Sequence, residues 1–198
     1  MPHENRNCHS RIGRYVGQDW ACDPTRPMTR QPAMSEKTIL ILTTGGTIDK
    51  AYFDALSEYQ IAESGIPALL KEARVARPVR VVEVLRKDSL DLTDADRAAI
   101  ARTVAEAPES RIVITHGTDT MTDTAKVLAE IPGKCMVLTG ALAPARFAES
   151  DAAFNLGMAV ATAQIARPGV YIAMSGQVFD GLKVHKDRAA GKFIADEG

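Results

Sequence analysis

The stretch KTILILTTGGTI, residues 37–48, decides how the rest of the chain is read. Lys37 to Thr43 is a near-continuous apolar run of strand length, the composition of a strand covered on both faces, and such strands pair in parallel. Directly after it, Gly45 and Gly46 let the backbone turn sharply and leave N–H groups close to whatever lies beside the turn. Thr47 then carries a hydroxyl into that turn. Taken alone, a Gly-Gly-Thr turn after a strand is a tight loop or a phosphate cradle. No Gly-Lys-Ser/Thr follows it and the chain has no Gly-x-Gly-x-x-Gly, so nucleotide binding lacks its usual companions.

The same pattern recurs downstream. Val79 to Leu85, Arg111 to Thr115, Lys134 to Thr139 and Gly169 to Met174 are further apolar runs of strand length. Between the strands lie segments long enough for crossover helices: Ile66 to Val75, Asp94 to Ala107, Thr120 to Ile131 and Ser150 to Ala166. Pro67 suits a first helical position and Thr93 suits a cap. Pro108, Pro132-Gly133 and Pro168-Gly169 stop the later helices. The expectation is an α/β fold, a three-layer doubly wound sandwich around a mainly parallel sheet of five strands. Ligands of such sheets bind beyond the carboxyl ends of the strands, at a switch in strand order.

Bulk properties narrow the partners. The 198 residues carry 24 Lys plus Arg and 25 Asp plus Glu, a net charge of −1, which gives no electrostatic reason to expect nucleic acid or an anionic membrane. No apolar run approaches membrane-spanning length and the N-terminus lacks the apolar core of a secretory signal, so a cytoplasmic protein is expected. Cys8, Cys22 and Cys135 are too few and scattered for a disulfide framework, and no metal or other cofactor is expected. Residues 1–34, rich in Arg, Pro, Asn and His without periodicity, are read as a disordered extension, and 35–198 as one domain.

The loops after the strands hold the polar residues worth weighing. Thr115-His116-Gly117-Thr118-Asp119-Thr120-Met121 leaves a buried strand and enters a helix, placing N–H groups and a positive dipole end at the crevice. An isolated Thr118-Asp119 pair would be read as a helix cap. Two hydroxyl-bearing glycine turns opening on one crevice say more. His116, ending a buried strand, is assigned to structure. Lys183 reads as a solvated charge, whereas Lys186, if it enters a partly desolvated crevice, is placed to take a proton from a threonine hydroxyl.

These three segments, Thr-Gly-Gly-Thr-Ile at 44–48, His-Gly-Thr-Asp-Thr-Met at 116–121 and Asp180-Gly181 followed by Lys186, in this order on these strands, resemble the bacterial-type L-asparaginase/glutaminase family over residues 36 to 198. The middle segment is the most diagnostic. The resemblance implies the Rossmann-like N-terminal domain of that family and hydrolysis of L-asparagine through a threonine acyl-enzyme, with L-glutamine as a second candidate substrate. Thr47 is then the nucleophile, and Thr118, Asp119 and Lys186 form a second polar group across the substrate. Asp119 would also receive the α-ammonium. Backbone N–H groups at Gly46-Thr47 or at Thr118 would stabilise the oxyanion. Gly117 and Ala141 line the substrate.

Two features depart from the pattern. Tyr52 and Tyr59 are both candidates for the tyrosine that assists Thr47; compact members with Thr-Ile-Asp-Lys after the glycines favour Tyr52, while the register of long members matches Tyr59. Where long members read Gly-Ser-Gln-Asp, this chain reads Arg86-Lys87-Asp88-Ser89, leaving Arg86 or Ser89 to hold the substrate carboxylate beside Asp88. The resemblance is to the short form without the usual C-terminal domain, in a homo-oligomer. The alternatives are a non-catalytic amino-acid sensor and an asparaginase-like amidotransferase subunit.

Overall fold

The computed structural model describes residues 38–53 and 58–196. The expectation for residues 1–34 and its boundary with the domain fall outside them. Strand β1 (Ile39–Gly45) is buried along its whole length and pairs in parallel on both sides, with β4 (Val79–Lys87) and β5 (Arg111–Thr115). Beyond β5 come β6 (Cys135–Thr139) and β7 (Gly169–Met174), also parallel, giving the expected five strands. A sixth, β8 (Gln177–Asp180), pairs antiparallel to β7 and completes the order β4-β1-β5-β6-β7-β8.

Strand alternation divides the core in two. Leu40, Leu42, Ile112, Ile114, Met136 and Leu138 face α2 (Asp94–Glu106) and α3 (Met121–Leu128). Ile39, Ile41, Val113 and Val137 face α1 (Ile66–Glu72) and α4 (Ala152–Ile165). Helices thus cover both faces, as a sheet of doubly buried strands requires. The helix starts follow their residues: Pro67 lies at the start of α1, and Thr93 caps α2 in a reciprocal capping box with Asp96. Helices α1 and α3 are shorter than their sequence patterns suggested. Beyond the sheet stand two hairpins that the sequence pattern did not reveal, β2 (Lys50–Phe53) with β3 (Glu58–Ile61), and β9 (Val184–Asp187) with β10 (Lys192–Ala195).

The connection from β1 leads toward β4 on one side, and that from β5 leads toward β6 on the other. The carboxyl ends of β1 and β5 therefore flank the switch point, where the diverging connections leave a crevice.

Two buried polar residues secure the loops around it. His116 donates from Nδ1 to the Gly117 carbonyl at 2.7 Å, since a carbonyl can only accept, and its Nε2 lies 2.8 Å from the Thr124 hydroxyl. Asn155, buried in the apolar helix α4, donates to the Gly140 carbonyl and to Asp151, and accepts from the Ser175 N–H at 2.9 Å. Asp151 in turn accepts from the Leu142 and Ala143 N–H groups. One end of α4 thus fixes the turns after both β6 and β7.

Burial is the main cause that holds His116 down to about 4, against the opposing effect of its bond to Gly117. The unfolded chain, with an ordinary histidine near 6.5, therefore takes up the proton first. The His116 contribution is intact above about pH 6.5 and falls away toward pH 4, by an amount on the order of 3 kcal/mol. Urea unfolding of the native chain beside His116→Gln should show the variant losing less stability across that interval; parallel profiles would contradict the assignment. Asn155→Ala should cost about 2–4 kcal/mol in the same assay at neutral pH, because it strands partners of a buried amide. A loss under about 0.5 kcal/mol would show the clamp to be dispensable.

Candidate active site

The crevice begins where two glycine turns touch. Gly46, at φ 83°, is so close to the second turn that a Cβ on it would stand 2.5 Å from the Gly117 nitrogen. A Cβ on Gly117 would stand 2.5 Å from Ser89 Oγ, and one on Gly45 2.6 Å from the Lys87 carbonyl. The turns after β1 and β5 are therefore packed backbone to backbone, the end of β1 likewise against the end of β4, and the second turn against the Ser89 side chain, separations that only glycine permits. Thr47 and Thr118 each follow one of the contacting glycines, so the two threonines flank the contact. The first turn is further held by the Gly46 N–H donating to the Lys87 carbonyl at 3.0 Å, and the second by Thr120 donating to the Ser89 carbonyl at 2.8 Å.

Lys186 reaches the same place from β9. Its Nζ donates to Thr118 Oγ1 at 2.7 Å and to Asp119 Oδ1 at 2.8 Å. Val184 and Phe193 anchor the β9–β10 hairpin in the core beside α3, and the Lys186 side chain is only 14% exposed. Ion pairing and partial burial hold the ammonium in one position. Thr118 and Asp119 do not cap α3: the residue before that helix is Thr120, whose side chain bonds to Ser89 instead. Lys183 is exposed, as expected.

The Gly117–Thr118 peptide has a defined direction. Its carbonyl is tied to the His116 ring, and the bond is trans, so the Thr118 N–H points the opposite way. That N–H has no acceptor among the described residues. Ser89 Oγ, buried against Gly117, likewise has no hydrogen-bond partner among them. Asp88 carries an ion pair with Lys50 at 2.8 Å. Burial alone would raise that carboxyl, but the Lys50 ammonium and the Leu90 and Ser89 N–H groups hold it below the ordinary carboxylate range. Arg86 is turned away, paired with Glu83 at the surface. Of the two residues weighed for carboxylate binding, Ser89 is the one beside the glycine turns.

The tyrosines sit on the β2–β3 hairpin directly after Thr47. Tyr52 and Tyr59 are cross-strand partners in register, neighbours within one ribbon. Tyr59 is 52% exposed and meets the Phe147 ring edge-on at 6.0 Å. The hairpin stem is fastened by Asp49, a residue not singled out from sequence. Its backbone carbonyl accepts from Ala62, and its buried carboxylate accepts from Ser64 Oγ at 2.8 Å and from the Gly65 N–H at 3.1 Å. Burial raises this carboxyl despite those bonds. Ala141 is buried on the loop after β6, and its neighbour Gly140 backs onto the His116 carbonyl and Thr118. Of the residues expected at the site, Gly46, Thr47, Asp88, Ser89, Gly117, Thr118, Asp119 and Lys186 come together around this contact, with Ala141 on the adjoining loop. No group of three or more metal-ligating side chains occurs among the described residues.

Comparison with known proteins bears on this arrangement. The family model described as "Asparaginase, N-terminal" matches residues 38–192. The L-asparaginase of Thermococcus kodakarensis is 34% identical over 163 residues, which cover 77% of this chain and 48% of that protein. The glutaminase-asparaginase of Pseudomonas fluorescens biotype A is 34% identical over 162 residues, 75% of this chain and 45% of that protein. The solved structure of the thermostable Thermococcus kodakarensis L-asparaginase superposes with a TM-score of 0.71 at 32% identity, over 80% of this chain and 51% of that one. The chain spans about half the length of the relatives it matches. It belongs to the asparaginase N-terminal domain family.

Proposed function

We propose that residues 35–198 form a catalytic unit that hydrolyses the side-chain amide of L-asparagine to L-aspartate and ammonia. The observation that carries this reading is the Lys186–Thr118–Asp119 cluster set against the glycine turn that bears Thr47. A hydroxyl nucleophile needs a group to take its proton, a place for the developing oxyanion, and anchors for the rest of the substrate.

In this reading the Thr47 hydroxyl oxygen attacks the amide carbon and gives up its proton, with Tyr52 or Tyr59 from the adjoining hairpin assisting. The Thr118 N–H is the oxyanion donor, aimed by the His116–Gly117 bond. Collapse of the tetrahedral species breaks the C–N bond and releases ammonia once the nitrogen has gained a proton, leaving an aspartyl ester on Thr47. Thr118, oriented by Lys186, then helps water attack that ester, which returns the proton to Thr47 and frees aspartate. Asp119 receives the α-ammonium and Ser89 the α-carboxylate, beside Asp88. Gly46, Gly117 and Ala141 line the substrate. The sequence similarity to a glutaminase-asparaginase makes L-glutamine the second substrate to assay. No step requires a metal or cofactor. A cytoplasmic setting and self-association in a homo-oligomer complete the proposal.

Ammonia release from asparagine and glutamine by the purified chain tests the reading. Thr47→Ala should lower turnover by at least about 1,000-fold. Thr118→Ala and Lys186→Met should each lower it by about 100-fold or more. A Thr47→Ala variant that retains native turnover would refute the mechanism. A native chain that binds aspartate but releases no ammonia would refute hydrolysis in favour of amino-acid sensing.

A further inference from the structure

Three consecutive residues on the loop after β6 grip the hairpin that carries the tyrosines. The Ala145 N–H donates to the Ile48 carbonyl at 3.0 Å, the Arg146 guanidinium donates to the Glu63 carbonyl at 3.1 Å, and the Phe147 ring meets Tyr59 edge-on. Ile48 precedes the hairpin, Glu63 follows it and Tyr59 lies on β3, so both ends and one strand are held from a single loop. That loop is tied in turn to the start of α4, because Ser150 donates to the Ala143 carbonyl at 2.9 Å and Asp151 accepts from the Leu142 and Ala143 N–H groups.

Asp49 closes the root of the hairpin from within. It is 3% exposed, and two donors, Ser64 Oγ and the Gly65 N–H, converge on one oxygen, Oδ1. Ser64 Oγ accepts in turn from the Ile66 N–H, so the carboxylate is fixed to the first turn of α1. No ion pair reaches it among the described residues. Arg146 favours its charged form through space and Glu83 opposes it. A buried carboxylate without a cation costs stability. What it supplies is position: charge-assisted bonds hold residue 49 at a set distance from residues 64 and 65.

We propose that Asp49 and the stretch Ala145-Arg146-Phe147 form a clasp that sets the tyrosine hairpin over Thr47, with Asp49 and Phe147 as positioning residues. Its effect on turnover rests on the amide hydrolysis proposed above; the clasp itself does not. The hairpin follows Thr47 directly, whereas Ser89, Thr118 and Asp119 stand on other loops. A slackened root therefore displaces the tyrosines and leaves the substrate anchors in place.

Asp49→Ala should lower turnover by about 30-fold or more, while aspartate affinity by titration calorimetry stays within about threefold of native. Asp49→Asn, which keeps an acceptor oxygen, should recover most of that loss. Native turnover in Asp49→Ala, or a parallel loss of turnover and aspartate binding, would overturn the proposal. Phe147→Ala keeps the test available if Asp49→Ala does not fold, because that ring is 44% exposed and lies outside both core clusters. It should lower turnover by about threefold or more with affinity unchanged, and native turnover in it would likewise count against the clasp. Hydrogen exchange separates the clasp from the chemistry: amides of β2 and β3 should exchange at least about tenfold faster in Asp49→Ala, and those of β1 and β5 at the native rate. Unchanged exchange in the hairpin would overturn the clasp whether or not the native chain hydrolyses asparagine.

Discussion

The close approach of Gly46 to Gly117 is the constraint on which the site depends. At that separation neither position accepts a side chain: a Cβ on the first strikes the backbone of the second, and a Cβ on the second strikes Ser89. The contact joins three loops that leave three neighbouring strands, and it fixes where Thr47 and Thr118 stand. Nothing in the helices could substitute for it. Their contribution is to bury β1 and β5 so completely that the carboxyl ends of those strands cannot shift relative to each other.

Around this contact the polar groups are arranged in shells. Lys186 joins Thr118 and Asp119 from a hairpin that is itself held by Phe193 and Val184 in the core. His116 aims the peptide between the second glycine and its threonine, and burial keeps its ring uncharged at neutral pH. Asp49 and Asn155 act further out, one fastening the tyrosine hairpin and the other the loops after β6 and β7. His116, Asp49 and Asn155 each hold at least one backbone group of a loop, which is how a loop far from the sheet acquires one geometry.

Much of this was legible in the sequence. The parallel strands announced themselves by their apolar runs, continuous where the strand is buried and interrupted by Arg80 and Glu83 in β4 at the sheet edge, and the glycine turns because only glycine permits such packing. Thr47, Thr118, Asp119 and Lys186 stand in the loops that the sheet selects, but it was the resemblance of their segments to the asparaginase family that singled them out. The hairpins were not legible. Strands such as QVFD at 177–180 and VHKD at 184–187 are four residues long and at least half polar, and their pairing is decided by where the chain lands. The reversal into β8 runs through Ser175 at φ 51° and Gly176 at φ 84°, a two-residue Ser-Gly turn, so the turn was marked in the sequence and only the short, half-polar strand after it was not. Asp49 and Asn155 act on backbone groups distant in sequence, which no local pattern reports. An asparagine in the first turn of the most apolar helix was the one available sign. The outer face of α4 shows the complementary limit: its alanine-rich composition serves packing on the sheet inside and leaves an apolar stripe outside, and composition alone does not separate the two.

The most direct test of the account is L-aspartate binding to Gly117→Ala by titration calorimetry, beside the native chain and with folding checked by circular dichroism. Gly117 has no positive φ, so the added methyl probes the closeness of the turns alone. The account predicts a folded variant in which aspartate binding is abolished, because the methyl forces Ser89 and the loop after β4 away from the second turn. A folded variant that binds aspartate as the native chain does would contradict the claim that this contact assembles the site.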